Sequence, residues 1–442
     1  MSIKVCKFGG TSMADGHIMR RVAQIIFADE ARRYIVVSAP GKRFGADLKV
    51  TDLLYACYRE IKKTGNCNES FFKIRIRFTG IVHELKLDMD IDALLDKTQA
   101  DMERVRTIDF CASRGEYLNA NIMAAFLHFD MVDASEFIRF DEEGMLNEKE
   151  TYALAEKVLI GHTHAVIPGF YGLGADGKIK TFSRGGSDIT GAIVARGARA
   201  CLYENWTDVS GFFACDPRII PQAKHIKVLS YKELRELSYS GANVLHSDCI
   251  IPVREMSIPI NIRNTFRPED EGTMILPSKR YEGAQHIVTG IAGKKNFTVI
   301  YVEHSLMNTQ IGFAEKVLSV LREAEVSFEH MPTGIDTLSI VIESERLKDG
   351  KLEKILAGIH RKVNPDILRI VEDIALVVTV GHGMHRNVGT AGRLFQALSE
   401  NHINVRMIDQ GSSELNIIIG VDNKDCEKTI AAIYSEFFEK ES

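Results

Sequence analysis

The sequence predicts an α/β chain in two parts. The first is a helix-covered, mostly parallel sandwich over residues 1–283. The second is a pair of small βαββαβ modules, the first inserted in the second. Two observations predict this. Over the first two-thirds, short apolar runs that end in glycine or small polar residues alternate with helical patterns, as buried parallel strands with crossover helices do. Over the last third, the order strand, helix, strand, strand, helix, strand is completed once and then begins again.

The expected strands of the first part are Lys4–Phe8, Tyr34–Ser38, Ala165–Gly169 and Ala200–Glu204. Helices are expected over Ala14–Ala28, Thr51–Lys62, Gly115–Leu127, Ser187–Arg196 and Tyr231–Gly241. The polar stretch Pro268–Gly283, with Pro268, Gly272, Pro277 and Gly283, reads as the boundary. In open sheets of this kind ligands bind where the strands end, so the loops after these strands are where a site is sought.

The first module takes residues 297–371: strand Phe297–Glu303, helix Ile311–Glu325, strands Val326–Met331 and Thr337–Glu343, helix Leu352–Val363 and strand Ile367–Val371. A second copy starts with strand Ile374–Gly381. Helix Thr390–Asn401, strands Ile403–Asp409 and Leu415–Val421 and helix Asp425–Phe438 follow, leaving it one strand short. The apolar segment His286–Ala292 is the expected missing strand, so the second module is residues 284–296 plus 372–442. Buried Val288 and Ile291 would fit this nesting; exposed and unpaired ones would not.

With 55 cations against 60 anions, a formal charge of −5, and 45% hydrophobic residues, the chain of 442 residues is of ordinary globular composition. The mild acidic excess argues against general nucleic-acid or anionic-membrane binding. No run reaches the roughly 18 apolar residues of a membrane span, and the N-terminus lacks a signal peptide's apolar core, so a cytoplasmic location is expected. The eight cysteines form no CxxC pair; they read as reduced, mostly buried residues, and structural zinc is not expected.

Four motifs carry chemistry. In Lys7-Phe8-Gly9-Gly10-Thr11-Ser12 a lysine ends a strand, and two glycines let backbone N–H groups approach an anion ahead of a helix. Lys7 is a compact charge suited to a moving phosphoryl group. No GxxxxGK[ST] occurs, so this is not the usual P-loop, and alone the pair also reads as a plain turn. Ser183-Arg184-Gly185-Gly186-Ser187-Asp188 is a second glycine pair opening a helix. Arg184 there suits bidentate grip of a carboxylate, while Asp188 reads equally as a capping carboxylate. Ser113-Arg114-Gly115-Glu116 offers an acid that is either a first-turn helix acid or a seat for an ammonium. Trp206-Thr207-Asp208-Val209 and Asp216-Pro217-Arg218 add an aromatic, a polar turn and a cation placed for phosphates.

Together these elements resemble the aspartokinases of the amino-acid kinase superfamily over essentially the whole chain. The matches also include Ser38-Ala39, Val50-Thr51-Asp52, Ile311-Gly312-Phe313 and Asn404–Ile408. The resemblance implies an amino-acid-kinase αβα sandwich with two ACT-type modules. It implies transfer of the ATP γ-phosphoryl group to the β-carboxylate of L-aspartate, with Mg²⁺ riding on the ATP phosphates. Lys7, with Gly9, Gly10 and Ser38, would stabilise the moving group. Thr51 and Ser187 would touch the substrate, Arg184 its α-carboxylate, and Glu116 and Asp188 its ammonium. Phe8, Thr207, Asp208, Phe213, Asp216, Arg218 and Asn243 would line the nucleotide site together with Lys7, Gly9 and Gly10. The nucleophile, with an unperturbed pKa near ~3.9, is already ionised, so no general base is needed and none of the motifs supplies a histidine.

Two departures stand out. Phe213 replaces a usual tyrosine, and Asn243 replaces a lysine that normally helps bind nucleotide, a loss Lys224 or Lys227 could make good. The basic loop Gly41–Lys49 is longer than in many members and reads either as a lid over phosphates or as a solvated turn. The paired modules imply feedback by a pathway amino acid, lysine first and threonine second, and a homo-oligomer formed through them. The matching effector positions are Met307, Gln310, Gly312, Phe313, Phe328 and Glu329. A glutamate kinase and a catalytically silent amino-acid sensor are the competing readings.

Overall fold

The structure is a computed structural model. It describes residues 2–183, 185–242, 244–245, 247–277, 281 and 286–440. In chain order the elements are β1 (Lys4–Phe8), α1 (Gly16–Phe27), β2 (Arg32–Val37), α2 (Val50–Thr64), α3 (Asn68–Leu85), α4 (Ile91–Val105) and α5 (Ile108–Leu127). Then come β3 (Asp130–Met131), α6 (Glu148–Leu159), β4 (Ala165–Pro168), β5 (Tyr171–Leu173), β6 (Ile179–Thr181), α7 (Gly186–Gly197) and β7 (Leu202–Thr207). Next are β8 (Phe212–Phe213), β9 (His225–Ile226), β10 (Val228–Ser230), α8 (Tyr231–Tyr239), α9 (Ile250–Arg254), β11 (Ile260–Asn264) and β12 (Thr273–Leu276). The last third holds β13 (Gly290–Glu303), α10 (Phe313–Glu323), β14 (Thr337–Glu343), α11 (Lys351–Val363), β15 (Ile367–Val380), α12 (Thr390–Glu400), β16 (Met407–Asp409), β17 (Asn416–Asp422) and α13 (Cys426–Tyr434).

The chain divides into two compact units. The first comprises Met1–Phe212, His225–Leu234 and Asn243–Glu282; the second comprises Phe213–Lys224, Arg235–Ala242 and Gly283–Ser442. In the first, eight strands run in the order β10-β12-β11-β7-β1-β2-β4-β3. All neighbours are parallel except β11 and β12. Strand side chains alternate between faces. Cys6, Phe8, Ile35, Val37 and Trp206 therefore join the apolar core built with α1–α5, while Lys7 and Asn205 fall on the face against which α7 packs.

The structure corrects several sequence expectations here. The helices α3 and α4 were not foreseen: their mixed apolar and charged residues give no clean stripe, and burial against α1, α2 and α5 supplies what propensity does not. Helix α5 begins at Ile108, capped by the Thr107 hydroxyl accepting from the Phe110 amide, not at Gly115. Glu116 is thus a mid-helix residue, and the first-turn acid reading falls. The stretch Pro268–Gly283 is not all linker: it holds β12, which closes antiparallel on β11 and parallel on β10, before the second unit resumes at Gly283.

In the second unit one five-stranded sheet, β14-β13-β15-β17-β16, serves both modules. Residues Phe297–Glu303 of β13 pair with β14 and with the first half of β15, while Gly290–Lys294 pairs with Val380–Leu376 of β15. A register shift between Lys294 and Phe297 separates the two halves. Val288 and Ile291 are buried, and Ile291 pairs with Thr379, so the upstream segment fills the place that the second βαββαβ order leaves open. The expected strand Val326–Met331 is reduced to a bridge from His330 to Val341 with the Glu329 amide on the Val341 carbonyl. The expected strand Ile403–Asp409 pairs only over Met407–Asp409.

Candidate active site

Lys7 closes β1, and its Cα partner across the ladder is Asn205 of β7. Only 8% of Lys7 is exposed. Its Nζ lies 2.6 Å from Asp188 Oδ1 in the first turn of α7 and 3.5 Å from Asn205 Oδ1. The Asn205 amide donates to the same Asp188 oxygen at 2.8 Å, and the Tyr203 hydroxyl donates to the Asp188 carbonyl at 3.0 Å. No motif points to Asn205; the β1–β7 register puts it beside the lysine.

The glycine turn is held from beneath. The Gly9 amide donates to the Trp206 carbonyl, the Met13 amide to the Gly10 carbonyl, and Gly41 reaches Gly10 at 2.8 Å. Trp206 stacks on Phe8 with centroids 5.9 Å apart, and its indole N–H donates to buried Glu204, which Arg32 grips with two nitrogens. A buried charge paired and hydrogen-bonded in this way is rigid, and it fixes the turn's backbone.

Helix α7 opens after Gly185, whose φ of +59° is a conformation side chains rarely take. Ser187 and Asp188 stand in its first turn, where backbone N–H groups favour an anion. Arg184 lies outside the described residues, as does Asn243. Thr51 is in the first turn of α2, and Ser38 follows β2 with its amide on the Phe8 carbonyl.

Glu116 is buried to 5% exposure on α5, and its Oε2 has no hydrogen-bond partner. Burial pushes its pKa up to about 8, against the opposing pull of the Ala39 amide and Arg114. A carboxyl kept out of water with an open oxygen suits a buried ammonium.

Thr207 ends β7 and its hydroxyl donates to exposed Asp208 at 3.2 Å. In the second unit, Phe213 begins the segment that carries Asp216 and Arg218. The Arg218 guanidinium is 90% exposed and is already paired with Asp216 at 2.6 Å, which holds the Asp216 carboxyl below its usual pKa range.

The loop Gly41–Lys49 is not loose. Buried Arg77 of α3 donates to the carbonyls of Ala14 at 3.0 Å and Leu48 at 3.1 Å and pairs with Asp47, which also binds Arg43. Lys42 reaches the Gly45 carbonyl. Arg77 was missed by sequence reasoning because α3 itself was.

Comparison with known proteins decides what this cradle serves. Residues 2–264 match the amino acid kinase family, and residues 377–437 match an ACT domain. Aspartokinase 3 of Bacillus subtilis is 37% identical over 453 residues, covering 99% of each chain. The chain belongs to the aspartokinase family. The crystal structure of the Clostridium acetobutylicum aspartate kinase superposes with a TM-score of 0.88 at 50% identity, covering 99% of this chain and 100% of that one. Aspartokinase III of Escherichia coli, in complex with lysine and aspartate, gives 0.77 at 25% identity with 99% of each covered.

In this aspartokinase the six expected effector positions are not gathered at one opening. Met307 and Phe313 are built into the first module's core. Gly312 caps α10 at φ +78°, and Gln310 binds the His304 ring. Glu329 is already paired with Arg346 at 2.9 Å. Phe328 lines an open, largely apolar groove of about 560 Å³ with Leu318, Ser319, Arg322 and Val326.

Proposed function

We propose the following division of labour for ATP-dependent phosphorylation of the aspartate β-carboxylate to 4-phospho-L-aspartate. Lys7, with the Gly10 backbone and the Ser38 hydroxyl, neutralises the charge that gathers as the phosphoryl group moves between two anions, while Gly9, its N–H engaged by the Trp206 carbonyl, shapes the turn. Glu116 and Asp188 receive the α-ammonium, Arg184 the α-carboxylate, and Thr51 and Ser187 the substrate's polar edge. Phe8, Thr207, Asp208, Phe213, Asp216, Arg218 and Asn243 serve the nucleotide.

The observation that carries this reading is the Lys7–Asp188–Asn205 cluster at the strand ends, in the same unit as the orphan carboxyl of Glu116. Among the described residues no group of three or more His, Cys, Asp or Glu could hold a metal by itself. Mg²⁺ would instead arrive on the nucleotide phosphates and would add positive charge to the transferring group.

The ACT-type modules are assigned to residues 297–371 and to 284–296 plus 372–442, after a kinase domain of residues 1–283. They bind a feedback amino acid, lysine before threonine, and join copies of the chain into a homo-oligomer. The lysine complex of the Escherichia coli relative supports that order. Among the described residues no helix is long and apolar enough to cross a membrane, and we place the enzyme in the cytoplasm. The test is ADP release with aspartate, with glutamate and with no acceptor. Aspartate-dependent release at least tenfold above the other two supports the reading, and equal release in all three overturns it.

A further inference from the structure

Helix α5 lies unusually close to the turn after β2: a Cβ added at Gly115 would sit 2.7 Å from the Ala39 Cβ. One turn along, Asn119 is fully buried, and its Nδ2 donates to the Ser38 carbonyl at 2.6 Å. Its Oδ1 is buried without a partner. Glu116 stands three residues earlier on the same face, and the nearby Ala39 backbone amide pulls its pKa down against burial. The Ser38 carbonyl and the Ala39 N–H belong to one planar peptide group and point to opposite sides of it. Two side chains of one helix therefore flank a single peptide: a donor bonded to its oxygen, and a carboxyl whose charged form its N–H favours.

We infer that Asn119 is a positioning residue for phosphoryl transfer, locking the Ser38–Ala39 peptide so that Ser38 faces the transferring group and Glu116 faces the substrate ammonium. The inference rests on the roles given above to Ser38 and Glu116. Peptide groups in turns can rotate as units, and nothing else described binds the Ser38 carbonyl or the Ala39 amide. Without Asn119 the carbonyl would seek another donor and the Ala39 N–H would turn from the carboxylate. The remaining ionisable neighbours of Glu116 are Arg114 on α5, which favours its charged form, and Tyr55 on α2. Turning the Ala39 amide away would remove an influence that lowers the Glu116 pKa, so the aspartate site would require a more alkaline medium.

The test compares the full-length enzyme with Asn119→Leu, which keeps the volume, Asn119→Ala, and Glu116→Gln. Aspartate and ATP kinetics are followed from pH 6 to pH 10, beside thermal melts. The expected result is kcat lowered at least tenfold in both Asn119 variants. The pH at which the aspartate KM has fallen to twice its alkaline limit moves upward, and the ATP KM changes less than about twofold. Wild-type kcat and an unmoved pH curve, with only a lower Tm, would overturn the inference. An unchanged aspartate KM in Glu116→Gln would instead overturn the ammonium seat, a result separable from the behaviour of Asn119.

Discussion

The Lys7 ammonium and the Asp188 carboxylate meet at 2.6 Å, the one from the end of β1 and the other from the first turn of α7. Two residues read from separate motifs thus share one cluster, and Asn205 bridges them. The pair aims a mostly buried lysine from the strand end toward the first turn of the helix. Removing the lysine removes the cation that answers anion meeting anion. Lys7→Ala is expected to lower kcat by well over tenfold while the protein stays folded; steady-state kinetics with a thermal melt checks both. Near-wild-type turnover would show that the charge is supplied elsewhere.

Glu116 makes the enzyme pH-dependent with a definite sign. Its folded pKa, about 8, stands above the ordinary value of 4.5. The folded free enzyme therefore holds a proton that the unfolded chain releases, and this group's contribution to stability falls as pH rises from about 4.5 through 8. An ammonium bound beside it reverses the preference, so aspartate binding expels the proton and the aspartate KM falls as pH rises toward 8. Glu116→Gln should flatten that dependence and raise the aspartate KM at least tenfold. Proton release on aspartate binding, measured by calorimetry in buffers of different ionisation enthalpy, provides an independent check.

Arg77 ties α3 to the backbone at Ala14, just after the glycine turn, and at Leu48 of the Gly41–Lys49 loop. Arg77→Ala leaves Asp47 with only the half-exposed Arg43. It also strips donors from the Ala14 and Leu48 carbonyls. Losing this part-buried pair and the two carbonyl hydrogen bonds is expected to cost about 1–3 kcal/mol, and urea denaturation should show a loss of that order. A loss under about 0.5 kcal/mol would mean that the loop does not depend on this anchor.

Feedback binding is testable by mass action. An effector that binds only the folded chain stabilises it by about 2.7 kcal/mol at one hundred times its Kd. A thermal-shift titration should raise Tm with lysine, less or not at all with threonine and methionine. A shift with threonine alone would reverse the order proposed.

Much of the fold was legible because it rests on local pattern. Short apolar runs ending in glycine gave β1, β2, β4 and β7, and the repeat of strand and helix order gave the paired modules. The missing strand of the second module was found from one apolar segment upstream. The helices α3 and α4 were not, since their burial comes from neighbours on three sides rather than from a clean amphipathic stripe.

The sequence by itself determined which chemistry is present: a lysine before two glycines, a second glycine pair opening a helix, and acids able to meet an ammonium. Only the tertiary structure decided which of these share a space. Asn205 gained its place from a strand register, Asn119 from a helix pressed against a turn, and Arg77 from a layer of helices with no local signature. Motifs record backbone geometry over a few residues, whereas the partner of a buried polar side chain is chosen by whatever packing brings to it across the chain.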